Sequence, residues 1–342
     1  MTGNRRLAMI AISTGKMRGI DAVADQKGVI RAAAMDQRGS LRKSIAKAKN
    51  IDPDSITAEM MSEFKTAVID VLSPHASGVL LDPEYGLEAA KTRAKGVGLL
   101  LAYEQSGYDN TQPGRIPVLL PDWTVRKLID AGADCIKILL YYTPFEEASI
   151  NELKHAWVER IGAECAFHDV PFFLEFVGYD PQGDGKSIEY ARRKPEIVTR
   201  SMAEFSKDFY YVDVLKVEIP VDLQYTKGTR SFKGGEAAYS RDEAKELYRK
   251  AAEAAKRPFI YLSAGVSNAQ FLESIELALE AGVNFSGVLC GRATWKDGIP
   301  IYAQKGVSAL RDWLSDEGVR NIEALNQLLK DAHSWKETGV SA

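Results

Sequence analysis

Histidine and cysteine are scarce in this 342-residue chain, and their scarcity removes several chemistries at once. The four histidines, His75, His155, His168 and His333, form no H-x-H or H-x-x-x-H pair and have no acidic cluster beside them, so no metal site is expected. The three cysteines, Cys135, Cys165 and Cys290, are odd in number and lack ligand spacing. Free thiols in a reducing cytoplasm account for them without a disulfide framework. No segment approaches the ~18 apolar residues of a membrane span. The stretch from Met1 to Ile12 carries Arg5 and Arg6 but only a short apolar run, so a soluble cytoplasmic protein is expected rather than an exported one. A net charge of -3 gives no electrostatic reason to expect a nucleic-acid or membrane partner. Neither G-x-G-x-x-G nor G-x-x-x-x-G-K-[ST] is present, which counts against an open doubly wound nucleotide-binding sheet.

What is present is an ordinary globular composition, 45% hydrophobic and 27% charged, enough for a sizeable core. Apolar runs of strand length occur eight times: Val29–Met35, Gly78–Leu81, Gly98–Tyr103, Cys135–Tyr141, Phe172–Phe176, Val212–Val217, Phe259–Leu262 and Phe285–Leu289. Their continuous apolar character suits strands covered on both faces, as in a parallel sheet. Amphipathic stretches separate them: Thr57–Leu72, Tyr85–Ala94, Thr124–Ala131, Glu146–Phe167, Ser187–Asp208, Arg241–Ala255 and Asn268–Ala281. Ser55 and Thr57, Pro144 before Phe145, and the capping box Ser240-Arg241-Asp242-Glu243 mark helix starts. The alternation predicts an α/β fold, a closed (β/α)8 TIM barrel spanning residues 1–342 as one domain, with an extra N-terminal helix over Asn4–Gln26 closing its bottom. The glycine-rich loops Glu104–Asp122 and Tyr225–Gly235 are candidate lids, or plain exposed turns.

Four ionisable residues interrupt or end the apolar runs: Asp36, Lys137, Glu175 and Lys216. A charge in a buried strand is costly, and each has an ordinary alternative. Lys216 can pair with Asp213 or Glu218, and Asp36 with Arg38. Residues at the C-terminal ends of barrel strands share one mouth, however, and together the four form a Schiff-base site. A buried lysine beside a second cation becomes a neutral amine able to attack a ketone, giving an iminium that withdraws electrons while the neighbouring carbon–carbon bond breaks. Glu175, among Phe172, Phe173 and Phe176, is the candidate acid/base. Burial alone does not decide between Lys216 and Lys137 as nucleophile.

After the seventh and eighth strands come Leu262-Ser263-Ala264-Gly265 and Cys290-Gly291-Arg292. Loops at these places in a barrel commonly hold a phosphate through backbone amides and a helix N-terminus, with Arg292 supplying charge and Ser263 a hydroxyl. Asp82-Pro83-Glu84 and Tyr103-Glu104-Gln105 fit either the mouth or helix caps.

The motifs Asp36-Gln37-Arg38-Gly39, Ile136-Lys137-Ile138, Pro171-Phe172-Phe173-Leu174-Glu175, Val214-Leu215-Lys216-Val217-Glu218, Leu262-Ser263-Ala264-Gly265 and Cys290-Gly291-Arg292-Ala293-Thr294-Trp295 resemble the class I tagatose-1,6-bisphosphate aldolases of the lactose and galactose operon type. The likeness runs from about Ala11 to Trp335. It implies metal-independent cleavage of tagatose 1,6-bisphosphate to dihydroxyacetone phosphate and glyceraldehyde 3-phosphate, with tolerance of other ketohexose bisphosphates. It matches Lys216 to the Schiff-base lysine, Glu175 to the acid/base, and Lys137 and Asp36 to a supporting pair. Gln37, Arg38, Leu262, Ser263, Gly265, Gly291 and Arg292 match substrate and phosphate contacts. No cofactor is implied beyond the imine, and a homodimer is expected. Departures fall at Val177–Asp180 and Gly228–Glu236, so an aldolase for a sulfofructose phosphate is an alternative. A non-catalytic sugar-phosphate sensor and an enolate-forming epimerase are two more.

Overall fold

The computed structural model describes residues 10–337, apart from 110, 182 and 184, together with 340 and 341. Eight parallel strands close into a barrel: β1 (Ile30–Ala34), β2 (Gly78–Leu81), β3 (Gly98–Ala102), β4 (Cys135–Tyr141), β5 (Phe172–Val177), β6 (Val214–Val217), β7 (Phe259–Leu262) and β8 (Gly287–Cys290). Each strand pairs with its sequence neighbours, and β8 closes onto β1 through Gly287 opposite Ile30 and Cys290 opposite Ala33. The predicted barrel is therefore the observed one, with strand ends shifted by no more than two residues.

Strand side chains alternate between two apolar layers, as the period of two requires. Ile30, Ala32, Ala34, Leu80, Leu100, Cys135, Phe173, Val214, Ile260 and Leu289 fill the barrel interior. Their neighbours, such as Ile136, Leu174, Leu215 and Tyr261, face the surrounding helices. The interior is packed, not hollow.

Helix α1 (Thr14–Val23) plugs the bottom. The expected N-terminal helix over Asn4–Gln26 is shorter, starting where the Ser13 hydroxyl caps the Lys16 N–H, and its first residues up to Met9 lie outside the described residues. Ile20 and Val23 extend the interior layer together with Trp335. Close approach is possible because Gly19 and Gly98 lack side chains: a Cβ on Gly19 would lie 2.5 Å from the Asp134 carbonyl oxygen, and one on Gly98 2.3 Å from that of Ala22. The Lys16 ammonium reaches Asp213, 2.8 Å away at the base of β6, and Asp213 also accepts the Phe172 N–H.

The helices that follow are α2 (Gly39–Lys49), α3 (Ala58–Leu72), α4 (Leu87–Thr92), α5 (Val125–Asp130), α6 (Ala148–Phe167), α7 (Ile188–Phe205), α8 (Arg241–Ala254), α9 (Asn268–Glu280), α10 (Arg292–Trp295), α11 (Ile299–Trp313) and α12 (Val319–Leu328). The capping box at Ser240 and Glu243 forms as expected. Helix α6 begins two residues later than its sequence pattern, because a turn closed by the Glu146 N–H onto the Thr143 carbonyl precedes its N-cap, Glu147. Helix α2, the short α10 and the pair α11 and α12 have no counterpart among the sequence-based segments. In α2 only Leu41, Ile45 and Ala46 are buried, too thin an apolar stripe to stand out. Among the described residues, no helix is long and apolar enough to cross a membrane.

Lys16→Met leaves the buried Asp213 carboxylate without its cation. Breaking a buried pair from one side costs about 3 kcal/mol or more. We expect a lower urea midpoint with an unchanged slope; an unchanged midpoint would show that the pair does not fasten the plug.

Candidate active site

The period of two that fills the barrel also builds its mouth. Two residues above Cys135 on β4 comes Lys137, two above Phe173 on β5 comes Glu175, and two above Val214 on β6 comes Lys216. Asp36 stands two beyond Ala34. An ionisable layer thus caps the apolar interior layer. Register places Glu175 directly opposite Lys216.

The contacts are direct. Glu175 Oε2 accepts from Lys216 Nζ at 2.8 Å and lies 2.7 Å from Lys137 Nζ. Asp36 Oδ2 is 2.7 Å from the same Lys137 nitrogen, and Glu104 Oε1 is 2.9 Å from it. Lys137 therefore carries three carboxylate partners, whereas Lys216 has Glu175 alone among the described residues. Burial by itself would drive the Lys137 ammonium toward its neutral form, but Asp36, Glu104 and Glu175 outweigh it and hold the amine well above its ordinary value. Burial likewise opposes the Asp36 carboxylate. Lys137, with Lys216 and Lys65, nevertheless holds Asp36 well below the usual carboxylate range.

The ordinary pairings for these residues are taken by others. Asp213 belongs to Lys16, and Glu218 accepts the Gly178 N–H at 2.7 Å and faces Lys194. Arg38 pairs with Glu84 at 2.7 Å rather than with Asp36. Glu175 does not sit in a bare apolar pocket. It lies between two ammonium groups, the contact that strand register imposes.

These groups open into a cavity of about 620 Å³ at the C-terminal end of the barrel. Lys216, Glu175 and Asp36 line it, while Lys137 lies beneath its floor with 1% of its surface exposed. Gln37, Arg38, Leu262, Ser263, Gly265, Gly291 and Arg292 all line it as well, so the sequence-derived contacts converge on one space. Arg38 has its guanidinium engaged by Glu84 and Glu104. Arg292 has no carboxylate within ion-pair distance among the described residues, and its guanidinium packs so closely over Gly265 that a Cβ there would stand 2.7 Å from its Cζ. Ala264 and Gly265 both have positive φ, 47° and 78°, which turns this loop tightly beneath the arginine. Gly39 and Ser40 at the start of α2 also line the cavity, with Lys43, which has no ion-pair partner among the described residues.

Lys65 escapes the sequence pattern, and the placement of Glu104 follows only from the fold. On sequence Glu104 fits either mouth or cap; the structure puts it in the mouth, because an antiparallel bridge to Leu119 extends the chain beyond β3. Asp82 takes the cap, accepting the Glu84 and Tyr85 N–H groups through one oxygen. Its other oxygen holds Lys65, a fully buried lysine of α3 that also donates to the carbonyls of Met35 at 2.5 Å and Gln37 at 2.8 Å. Lys65 thus fixes the backbone on both sides of Asp36. Its only sequence signal is a lysine on an apolar helix face with Met61, Phe64, Val68 and Leu72. Of the two glycine-rich loops, Glu104–Tyr108 contributes lining, whereas the second is tied to α9 by Glu273, which accepts the Ser231 N–H and hydroxyl.

Residues 30–297 match the model of the DeoC/LacD family aldolases. The chain belongs to that family. Its relatives include tagatose 1,6-diphosphate aldolase 2 of Enterococcus faecalis, 49% identical over 96% of this chain and 97% of that protein. The tagatose 1,6-diphosphate aldolase of Listeria monocytogenes serotype 4a is 47% identical over 94% of each chain. Among solved structures, a fructose-bisphosphate aldolase of Plasmodium falciparum matches with a TM-score of 0.66 at 12% identity, over 95% of this chain and 98% of that one. A Schiff-base-forming fructose-1,6-bisphosphate aldolase matches at 0.54 and 15%, over 91% and 98%. These two likenesses show that the DeoC/LacD barrel of this chain shares its fold with them.

Lys65→Met removes three hydrogen bonds and leaves the buried Asp82 unpaired, so a loss of about 3–5 kcal/mol is expected in denaturant unfolding. A loss below 1 kcal/mol would show that the Asp36 segment holds its shape without it.

Proposed function

We propose that the protein is a class I aldolase that cleaves tagatose 1,6-bisphosphate reversibly to dihydroxyacetone phosphate and glyceraldehyde 3-phosphate through an imine on Lys216. The observation that carries this reading is the asymmetry of the two lysines. Lys216 lines the cavity beside one carboxylate, and Lys137 lies under it beside three. The relatives named for tagatose 1,6-diphosphate, at nearly half identity over almost the full length, support the substrate.

A proton passing from Lys216 to Glu175 across 2.8 Å leaves a neutral amine beside a neutral acid. The amine attacks the C2 ketone, and Glu175 returns the proton to the carbinolamine hydroxyl, which leaves as water. The resulting carboxylate then takes the proton of the C4 hydroxyl. The C3–C4 bond breaks, its electron pair moves to the iminium to give an enamine, and the aldehyde departs. Protonation at C3 and addition of water release dihydroxyacetone phosphate and restore Lys216. The Asp36 carboxylate, which interacts with Lys216, offsets the charge that appears on the iminium. No other cofactor enters the cycle.

Arg292 and Lys43, two cations of the cavity wall without a carboxylate partner among the described residues, suit a substrate charged at both termini. Ser263, Gly265, Gly291 and Arg292 receive one phosphate, and Gly39, Ser40 and Lys43 the other.

Cleavage of tagatose 1,6-bisphosphate by the purified protein, followed through triose phosphate release, tests the reading directly. Glu175→Gln is expected to lower kcat by about a hundredfold or more with little change in KM; near-wild-type turnover would remove its acid/base role. Arg292→Ala should raise KM for any phosphorylated ketose by about tenfold or more, in line with the loss of a charge-assisted pair. Lys43→Ala should raise KM for the bisphosphate but not for the corresponding 1-phosphate. Equal effects on both would place the second phosphate elsewhere.

A further inference from the structure

Glu104 has no role in the proposed cycle, yet it occupies a place that its surroundings fix closely. Its residue is 4% exposed. The backbone is held on both flanks: Tyr103 N–H donates to the Lys137 carbonyl at 2.9 Å, and Gln105 N–H to that of Val118 at 2.8 Å. Glu104 Oε1 meets Lys137 at 2.9 Å and faces Arg38 Nη2 at 3.6 Å. Its Oε2 is buried and has no hydrogen-bond partner among the described residues. Such a carboxylate is costly to keep unless its charge has a use.

The use follows from counting partners through the proposed cycle, on which this inference rests. Glu175 is shared by both lysines, at 2.7 Å from Lys137 and 2.8 Å from Lys216. Whenever Glu175 holds a proton, that shared charge is gone. Lys216 is then left with no carboxylate, and Lys137 still has Asp36 and Glu104. Were Glu104 neutral, Lys137 would retain one anion, and the two amines would differ far less. Lys137 would also pull harder on Glu175 and oppose its protonation.

We propose that Glu104 is a positioning residue that keeps Lys137 a permanent ammonium while Glu175 gains and loses its proton, so that Lys216 alone is released as a free amine. The charged and titratable groups facing this cluster come from six strands and their loops. They are Asp36 after β1, with Lys65 behind it, Arg38, Glu104 after β3, Lys137 and Tyr141 on β4, Glu175 on β5, Lys216 on β6 and Cys290 on β8. Glu104 is the member whose charge acts on Lys137 without itself entering the reaction.

Glu104→Gln keeps the shape and removes the charge. Taking away an anion favours loss of protons from every group that remains, so both limbs of the pH profile of kcat/KM for bisphosphate cleavage should move to lower pH, by about one unit. Glu104→Asp retains the charge and should hold the wild-type limb positions at whatever reduced rate it shows. A purely structural role would change melting temperature and rate but leave the limbs in place. Unmoved limbs in Glu104→Gln overturn the proposal; so does a shift in Glu104→Asp, which alone decides the matter if the glutamine variant fails to fold. The wild-type cleavage rate tests the aldolase reading separately from these shifts, so the two can fail independently.

Discussion

One buried ammonium, that of Lys137, determines what the mouth of this barrel can do. Three carboxylates converge on it from the ends of three different strands or their extensions, at 2.7, 2.7 and 2.9 Å. Each buried charge alone would be expensive, and the set is tolerable only because the barrel brings the partners together in one place. The arrangement follows from a period of two. The same inward direction that sends Cys135, Phe173 and Val214 into the apolar interior sends Lys137, Glu175 and Lys216 to the layer above it. Folding the barrel and assembling the site are therefore one event.

A network this polar needs support that does not itself react. Lys65 and Asp82 supply it beneath Asp36, and Arg38 with Glu84 supplies it beside Glu104. The bottom of the barrel uses a similar device at lower density, where Lys16 and Asp213 tie the plug helix to β6. The charged groups at the two ends thus differ in kind. At the bottom Lys16 has its carboxylate, whereas the mouth leaves Arg292 and Lys43 without one among the described residues, facing a cavity that suits anionic ends.

The barrel was legible because continuous apolar runs of strand length, repeated eight times with helices between, have few other interpretations. Asp36, Lys137, Glu175 and Lys216 were legible as charges out of place in those runs. Other parts were hidden for physical reasons. Helix α2 buries too few residues to show a period, and a lysine on an apolar helix face, such as Lys65, reads equally well as one that reaches past the core to solvent. Glu104 lies beyond the regular strand, where the side-chain direction depends on a bridge to Leu119 that no local pattern announces. The two lysines do not separate on sequence, because both strands are equally apolar; the number of carboxylates around each nitrogen distinguishes their surroundings in the fold.

The central claim is that Lys216, and not Lys137, forms a covalent imine. Incubating the protein with dihydroxyacetone phosphate and sodium borohydride, followed by peptide mass mapping, tests it without presuming which sugar is natural. The account predicts a single reduced adduct on the peptide carrying Lys216. An adduct on Lys137, or none at either lysine while the same ligand demonstrably binds, would contradict it.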